Sequence, residues 1–291
     1  MADNMKQRIL VTGGAGFVGS NLIKRLKLAG HDIISIDNYS SGKIENHIDG
    51  VSYYNLDTKN FKLIEYNLGK IDAVYHLGEY SRIHPSFEEY EKVWNYNTAG
   101  TFEIVNFCLK NNIKLVYAGS STRFATEGIN HSPYSFTKSM NTELIKNFGN
   151  WFGLKYSICY FYNVFGPGYN SSPIKGYESV ISVFEKQYKN NEPLTVVGDG
   201  NQQRMFTYVD DIVDGLIKSF YYDENEEFQL ANPKLYSILD VAKMFSNNII
   251  FIEKRKGDRN SSVVLHDNAR KLLNWSSTID VNEWINTLKN A

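Results

Sequence analysis

The chain has 291 residues, 42% of them hydrophobic and 22% charged, with a formal net charge of −1 at pH 7. That length buries a sizeable core, enough for one large α/β domain and a smaller lobe. The near-neutral balance excludes a broad basic field for nucleic acid or an anionic membrane, so any phosphate must be held by a few placed groups.

Residues 1–8 are polar and run straight into a strand, which leaves no room for a signal peptide. No apolar run reaches membrane-spanning length. Cys108 and Cys159 share no metal-ligand or redox spacing, and each falls in an apolar pattern. They read as buried free thiols in a reducing, cytoplasmic setting, with no metal site.

Residues 8–12 form an apolar strand, and 17–29 follow with helical spacing at Val18, Leu22, Ile23 and Leu26. A second strand is predicted at 32–36, with further strands at 52–56, 73–77, 115–118 and 156–162. Helical patterns at 61–66, 88–111 and 134–152 separate them. This alternation predicts an α/β fold: a Rossmann-type, doubly wound parallel sheet covered on both faces. After Gly166-Pro167-Gly168 the order loosens and turn residues multiply, as in Asn190-Asn191-Glu192-Pro193 and Gly198-Asp199-Gly200. Residues 1–165 are therefore read as a dinucleotide-binding domain and 166–291 as a smaller C-terminal substrate lobe. A stretch at about 206–230, helical over 210–221, is expected to return to the first domain.

Thr12-Gly13-Gly14-Ala15-Gly16-Phe17-Val18-Gly19 lies between the first strand and the first helix. Glycines suit a tight turn whose backbone must approach a pyrophosphate, and the helix N-terminus offers N–H groups and a positive dipole end to that charge. Gly13, Gly16, Phe17, Val18 and Gly19 are the candidate contacts. Asp37 ends the second strand about twenty residues further on, where a carboxylate accepts ribose hydroxyls and repels a 2′-phosphate. NAD is therefore the expected cofactor, ahead of NADP.

Tyr134-Ser135-Phe136-Thr137-Lys138 places a phenol and an ammonium one helical turn apart. A phenol, with an unperturbed pKa of about 10, is a poor base near neutrality. A neighbouring ammonium, helped by a cationic nicotinamide, stabilises the phenolate, which can then take a hydroxyl proton as hydride leaves the same carbon.

The glycine loop, Asp37, the Ser120-Ser121 pair and Tyr134/Lys138, in that order, resemble the extended short-chain dehydrogenase/reductase family. Within it the chain looks most like the nucleotide-sugar epimerases typified by UDP-galactose 4-epimerase. The resemblance implies that Ser121 hydrogen-bonds the reacting hydroxyl, and that Ser121, Tyr134 and Lys138 are catalytic. It places Asp57 near the adenine, adds Asn38, Thr58 and Leu77 to the cofactor contacts and Ser81 to the substrate contacts, and gives His76 a structural role. For the substrate diphosphate it implies Asn163, Arg204 and Arg255, with Asp258 on the nucleotide ribose. A guanidinium suits that work because its planar fork grips phosphate oxygens at two points. Ser262, a small residue, hints at a pocket with room for an N-acetyl group.

Two departures stand out. Ser121 and Tyr134 are 13 residues apart, closer than in relatives, so the loop over the sugar is short. Dehydratases of the family carry an Asp-Glu pair just after the Ser/Thr, where this chain has Thr122 and Arg123. Neither is an acid/base suited to dehydration at neutral pH.

The resemblance thus implies an NAD-dependent 4-epimerase of nucleotide sugars, UDP-hexoses or UDP-N-acetylhexosamines foremost, acting as a homodimer that packs helices 88–111 and 134–152. A net 4-ketoreductase or 4-dehydrogenase uses the same chemistry, with cofactor exchange. A non-catalytic NAD sensor is a third reading, but it has no need for Tyr134 and Lys138.

Overall fold

The computed structural model describes residues 6–168, 178–254, 257, 260–261 and 263–290. The chain runs β1 (Arg8–Thr12), α1 (Phe17–Leu28), β2 (Asp32–Asp37), β3 (Ser52–Asn55), β4 (Ala73–His76), α2 (Tyr90–Val93), α3 (Gly100–Lys110), β5 (Lys114–Ser120), α4 (Pro133–Phe152) and β6 (Tyr156–Phe161). It continues through β7 (Val164–Phe165), α5 (Val180–Lys189), β8 (Leu194–Val197), β9 (Gln203–Met205), β10 (Thr207–Tyr208), α6 (Val209–Phe220) and β11 (Glu226–Leu230). The last elements are β12 (Leu235–Ser237), α7 (Ile238–Phe245), β13 (Ile249–Ile252), α8 (Asn268–Leu273) and α9 (Val281–Asn290).

Seven strands form one sheet in the order β11-β6-β5-β4-β1-β2-β3, and every pairing in it is parallel. Side chains alternate across each strand, so the near-continuous apolar runs supply two cores. On one face Leu10, Ile34, Val74, Leu115 and Tyr117 pack with Ile104, Val105 and Cys108 of α3 and Ile145 of α4. On the other, Ile9, Val11, Ile33, Tyr75 and Val116 pack with Leu22, Ile23 and Leu26 of α1 and Ile212, Val213 and Leu216 of α6. The segment 206–230 thus adds a helix to this second layer and β11 to the sheet edge. Cys108 and Cys159 are buried and unpaired.

A third core joins Phe184 of α5, Val196 of β8, Val241 and Phe245 of α7 and Ile285 of α9. Around it lie the short ladders β8–β13 and β7–β10, both parallel, and the antiparallel pair β9–β12.

Two predicted helices differ in form. Residues 61–66 fall in 3₁₀ turns, Thr58–Leu63 and Glu65–Asn67. Of that stretch only Phe61 is fully buried, with Ile64 packed partly exposed against the same core, too little apolar surface to hold a longer helix. The helix expected over 88–111 is interrupted between α2 and α3 by a π-helical stretch, Trp94–Ala99. Its wider turn carries Asn97 into the interior, where Oδ1 accepts from the Tyr80 N–H at 2.7 Å and Nδ2 donates to Thr137 Oγ1 at 3.0 Å. Among the described residues, no helix is long and apolar enough to cross a membrane.

Candidate active site

The carboxyl ends of the parallel strands open on one cavity of about 580 Å³. Its wall includes Gly13, Gly16, Phe17, Val18, Gly19, Asp37, Asn38, Thr58, Leu77, Ser81, Ser121, Tyr134, Lys138, Asn163 and Arg204. Sequence-predicted residues from eight separate segments therefore meet at one place. Asp57 stands behind this wall, with Oδ1 accepting from Asn38 Nδ2. Arg255, Asp258 and Ser262 lie outside the described residues.

At the glycine loop, Gly13 has φ +73°, and a Cβ there would sit 2.8 Å from the backbone of Leu77 and Gly78. A Cβ on Gly19 would lie 2.1 Å from the Gly13 carbonyl oxygen. These contacts leave space for backbone alone, and Gly16, the N-cap of α1, leaves the first turn with no side chain capping it. The result is a cradle of glycine backbone at a helix N-terminus, suited to a dinucleotide pyrophosphate. Asp37 is buried; its carboxylate accepts from Ala15 N at 2.9 Å and Tyr39 N at 2.8 Å. Burial pushes its carboxyl above the usual range, against the pull of those two N–H donors. With two lone-pair positions per oxygen, the carboxylate keeps acceptor capacity for a ribose. The residues present fit NAD.

Opposite the glycine loop, α4 sets out the reacting groups. Ser132 caps it by accepting from Ser135 N at 3.1 Å, Pro133 opens its first turn, and Gly153, at φ +76°, ends it. Tyr134, Lys138 and Asn141 recur at helical spacing on the face toward β5. The Tyr134 hydroxyl donates to Ser120 Oγ at 3.1 Å. Ser120 Oγ also lies 2.9 Å from Thr122 Oγ1 and caps the following turn by accepting from Thr122 N at 3.3 Å. The sequence pointed to Ser121 for this position; Ser121 lines the same cavity, but Ser120 is the serine bonded to the phenol.

Lys138 is buried on this wall. Its Nζ donates to Ala118 O at 2.5 Å and forms an ion pair with Glu79, whose side chain is 3% exposed. Glu79 escaped the sequence reading. The signal for it was a charged residue just past a strand expected to be buried, in His76-Leu77-Gly78-Glu79. Behind it His76 bridges Thr12 Oγ1 at 2.6 Å and Thr101 Oγ1 at 2.9 Å. Burial drives the His76 pKa down to about 4, so the imidazole is neutral and structural.

On the lobe side, Asn163 has φ +22° and its Nδ2 donates to Met205 O at 2.8 Å. Arg204 Nη1 donates to Gln203 O at 2.9 Å and Asn260 O at 3.1 Å. No group of three or more His, Cys, Asp or Glu side chains among the described residues is placed to hold a metal.

Comparison with known proteins agrees with this geometry. Residues 9–231 match the model of the NAD dependent epimerase/dehydratase family. A putative UDP-glucose 4-epimerase of Methanocaldococcus jannaschii is 30% identical over 97% of both chains. UDP-glucuronic acid decarboxylase 1 of Xenopus tropicalis is 26% identical over 98% of this chain and 72% of its own length. The structure of UDP-glucose 4-epimerase with UDP-glucose from Thermotoga maritima superposes with a TM-score of 0.89, at 25% identity and 97% coverage of each chain. The chain belongs to the NAD-dependent epimerase/dehydratase family, an extended short-chain dehydrogenase/reductase type, and its cofactor is NAD.

Proposed function

We propose that this family member is a UDP-sugar 4-epimerase that oxidises C4 transiently and returns the hydrogen to the opposite face. The observation that carries the reading is the Tyr134–Ser120 hydrogen bond, on the same cavity wall as Lys138 and across from the glycine cradle. NAD, when bound, supplies the acceptor and donor of hydride. Tyr134 takes the C4 hydroxyl proton and later gives it back. Lys138 stabilises the phenolate, and Ser120, with Ser121 beside it, holds the reacting oxygen. Asn163 and Arg204 hold the diphosphate, joined by Arg255, while Asp258, also from the segment beyond β13, takes the nucleotide ribose. The lobe built on α5, α7 and α9 binds the nucleotide sugar, and residues 1–165 with 206–230 bind the cofactor.

With Ser120 in the serine's place the next residues are Ser121 and Thr122, followed by Arg123. The lack of a carboxylic acid/base pair among them supports a reaction that returns the proton to the oxygen it came from and needs no second base. The likeness to UDP-glucuronic acid decarboxylases supports a second reading. A hexuronic acid oxidised at C4 is a β-keto acid, which loses its carboxylate as carbon dioxide through the same Tyr134 chemistry. The exposed aromatic surface along α2 and α4 supports a homodimer.

Incubation with a panel of UDP-, GDP-, CDP- and dTDP-sugars, followed by NMR of the products, tests the proposal. The expected result is a C4-inverted UDP-sugar formed without added cofactor. Release of carbon dioxide from UDP-glucuronic acid would move the assignment to decarboxylation, and stoichiometric NADH change would move it to a net oxidoreductase.

A further inference from the structure

Lys138 does not face a neutral wall. Glu79, carried past the end of β4, meets it from behind with Oε2. The other oxygen, Oε1, accepts from Asn141 Nδ2 at 2.7 Å, Thr101 Oγ1 at 2.8 Å and Tyr117 OH at 3.1 Å. All four partners are donors, which is the environment of an ionised carboxylate. The ammonium also lies 4.4 Å from the centre of the Tyr117 ring.

The other titratable groups around this pair add no net charge near neutrality. His76, from β4, is neutral because burial holds its pKa near 4. Tyr117, from β5, is pushed well up by burial and by Glu79 itself. Tyr80 and Tyr96 pack in one cluster with Tyr134. The carboxylate next to them, Glu89, which accepts from the Tyr80 hydroxyl at 2.6 Å, is itself paired with the Lys92 ammonium. Glu79 and Lys138 therefore set the local field in which Tyr134 must ionise.

Resting on the reading of Tyr134 as the proton-handling group, we propose that Glu79 is a positioning residue that pins the Lys138 ammonium and sets the pH at which the Tyr134–Lys138 pair releases its proton. An anion behind the ammonium opposes formation of a second anion at the phenol. Removing it eases proton loss from the pair, whichever of the two groups gives the proton up. Glu79 is held by four donors from α3, β5 and α4, so the charge cannot drift away as a surface carboxylate does.

The test is a near-ultraviolet phenolate titration of the NAD-bound enzyme, with and without Tyr134→Phe, so that the signal lost in Y134F reports the pair. In Glu79→Gln that signal is expected roughly one to two pH units lower than in the parent. Glu79→Asp, which retains the charge but withdraws it by a methylene, is expected to shift the signal the same way and less. The acid limb of kcat/KM should follow. If E79Q fails to fold, E79D carries the test. A titration unmoved in a folded variant would reduce Glu79 to a structural role and overturn the inference. Because the titration needs no sugar, a moved signal with no turnover of any UDP-sugar would overturn the epimerase reading alone. Turnover with an unmoved signal would overturn this inference alone.

Discussion

The Tyr134 hydroxyl lies 3.1 Å from Ser120 Oγ, at the point where β5 ends and the following turn begins. The contact joins a strand end to a helix first turn, and it makes Ser120 the hydroxyl best placed to share a substrate oxygen with the phenol. Ser120→Ala is expected to lower kcat/KM by roughly 100-fold with little loss of cofactor, since one positioned hydrogen bond is removed. Ser121→Ala should stay within about a few-fold of the parent. Steady-state kinetics of the two variants decides between them, and the opposite ranking would return the role to Ser121.

Tyr134→Phe deletes the proton acceptor and little else, because the ring still packs on Tyr80, Val93 and Tyr96. Turnover should fall by at least about 100-fold. Bound NAD, measured by release on denaturation, should remain near the parent level. Parent-like turnover in Y134F would remove the phenol from the mechanism.

The cradle makes a sharper demand at Gly13. Alanine there must hold φ +73° and bring a Cβ to 2.8 Å from the backbone of Leu77 and Gly78, atoms that cannot swing aside. The expected cost is on the order of 2–3 kcal/mol, from the left-handed backbone and from the contact. Denaturant unfolding reads the stability, and the purified G13A protein should carry much less NAD.

Much of this was legible in the sequence for a physical reason. Buried parallel strands need apolar runs, and the first helix needs its face of Val18, Leu22, Ile23 and Leu26, so β1 to α1 and the glycine turn could be placed by pattern. The choice between Ser120 and Ser121 could not. Two serines stand in a row where the two-residue alternation of a strand stops, and only the tertiary packing of β5 on α4 turns the Ser120 hydroxyl toward Tyr134. Glu79 was hidden for another reason: its partner Lys138 is 59 residues away, and no local pattern reports a pair made by tertiary folding. The π-helical stretch was likewise masked, because 94–99 continues a helical pattern on both sides and its extra width is set by Asn97 finding Tyr80 and Thr137.

His76 gives the fold a pH dependence of known sign. The folded protein keeps the imidazole neutral with a pKa of about 4, whereas the unfolded chain protonates it near 6.5. Between those values the unfolded state binds the extra proton, so this contribution to stability is whole above about 6.5 and declines as pH falls toward 4. The loss over that window is on the order of 3 kcal/mol. Denaturant midpoints measured from pH 7 to pH 4 should fall in the parent and fall less in His76→Gln, which begins from a lower value because the bridge between Thr12 and Thr101 is altered. Parallel curves for the two proteins would show that His76 is not the group responsible.

On the outer side of the same layer, Tyr90 is 60% exposed, Trp94 52% and Phe136 43%, from α2, the π-helical stretch and α4. Leaving aromatic rings of that size half in water on adjoining helices is costly, and covering the exposed half of each would gain roughly 1 kcal/mol or more. A second copy meeting this surface through a two-fold axis buries both sets at once, and the same residues then serve both subunits. The protein is therefore expected to run as a dimer in light scattering at micromolar concentration. Trp94→Glu should shift it toward monomer by placing a charge in the contact. Its NAD content should hold, because Trp94 is not on the wall of the cofactor cavity. A parent protein that stays monomeric throughout would leave these rings to another partner, and a W94E variant that stays dimeric would place the interface elsewhere on the surface.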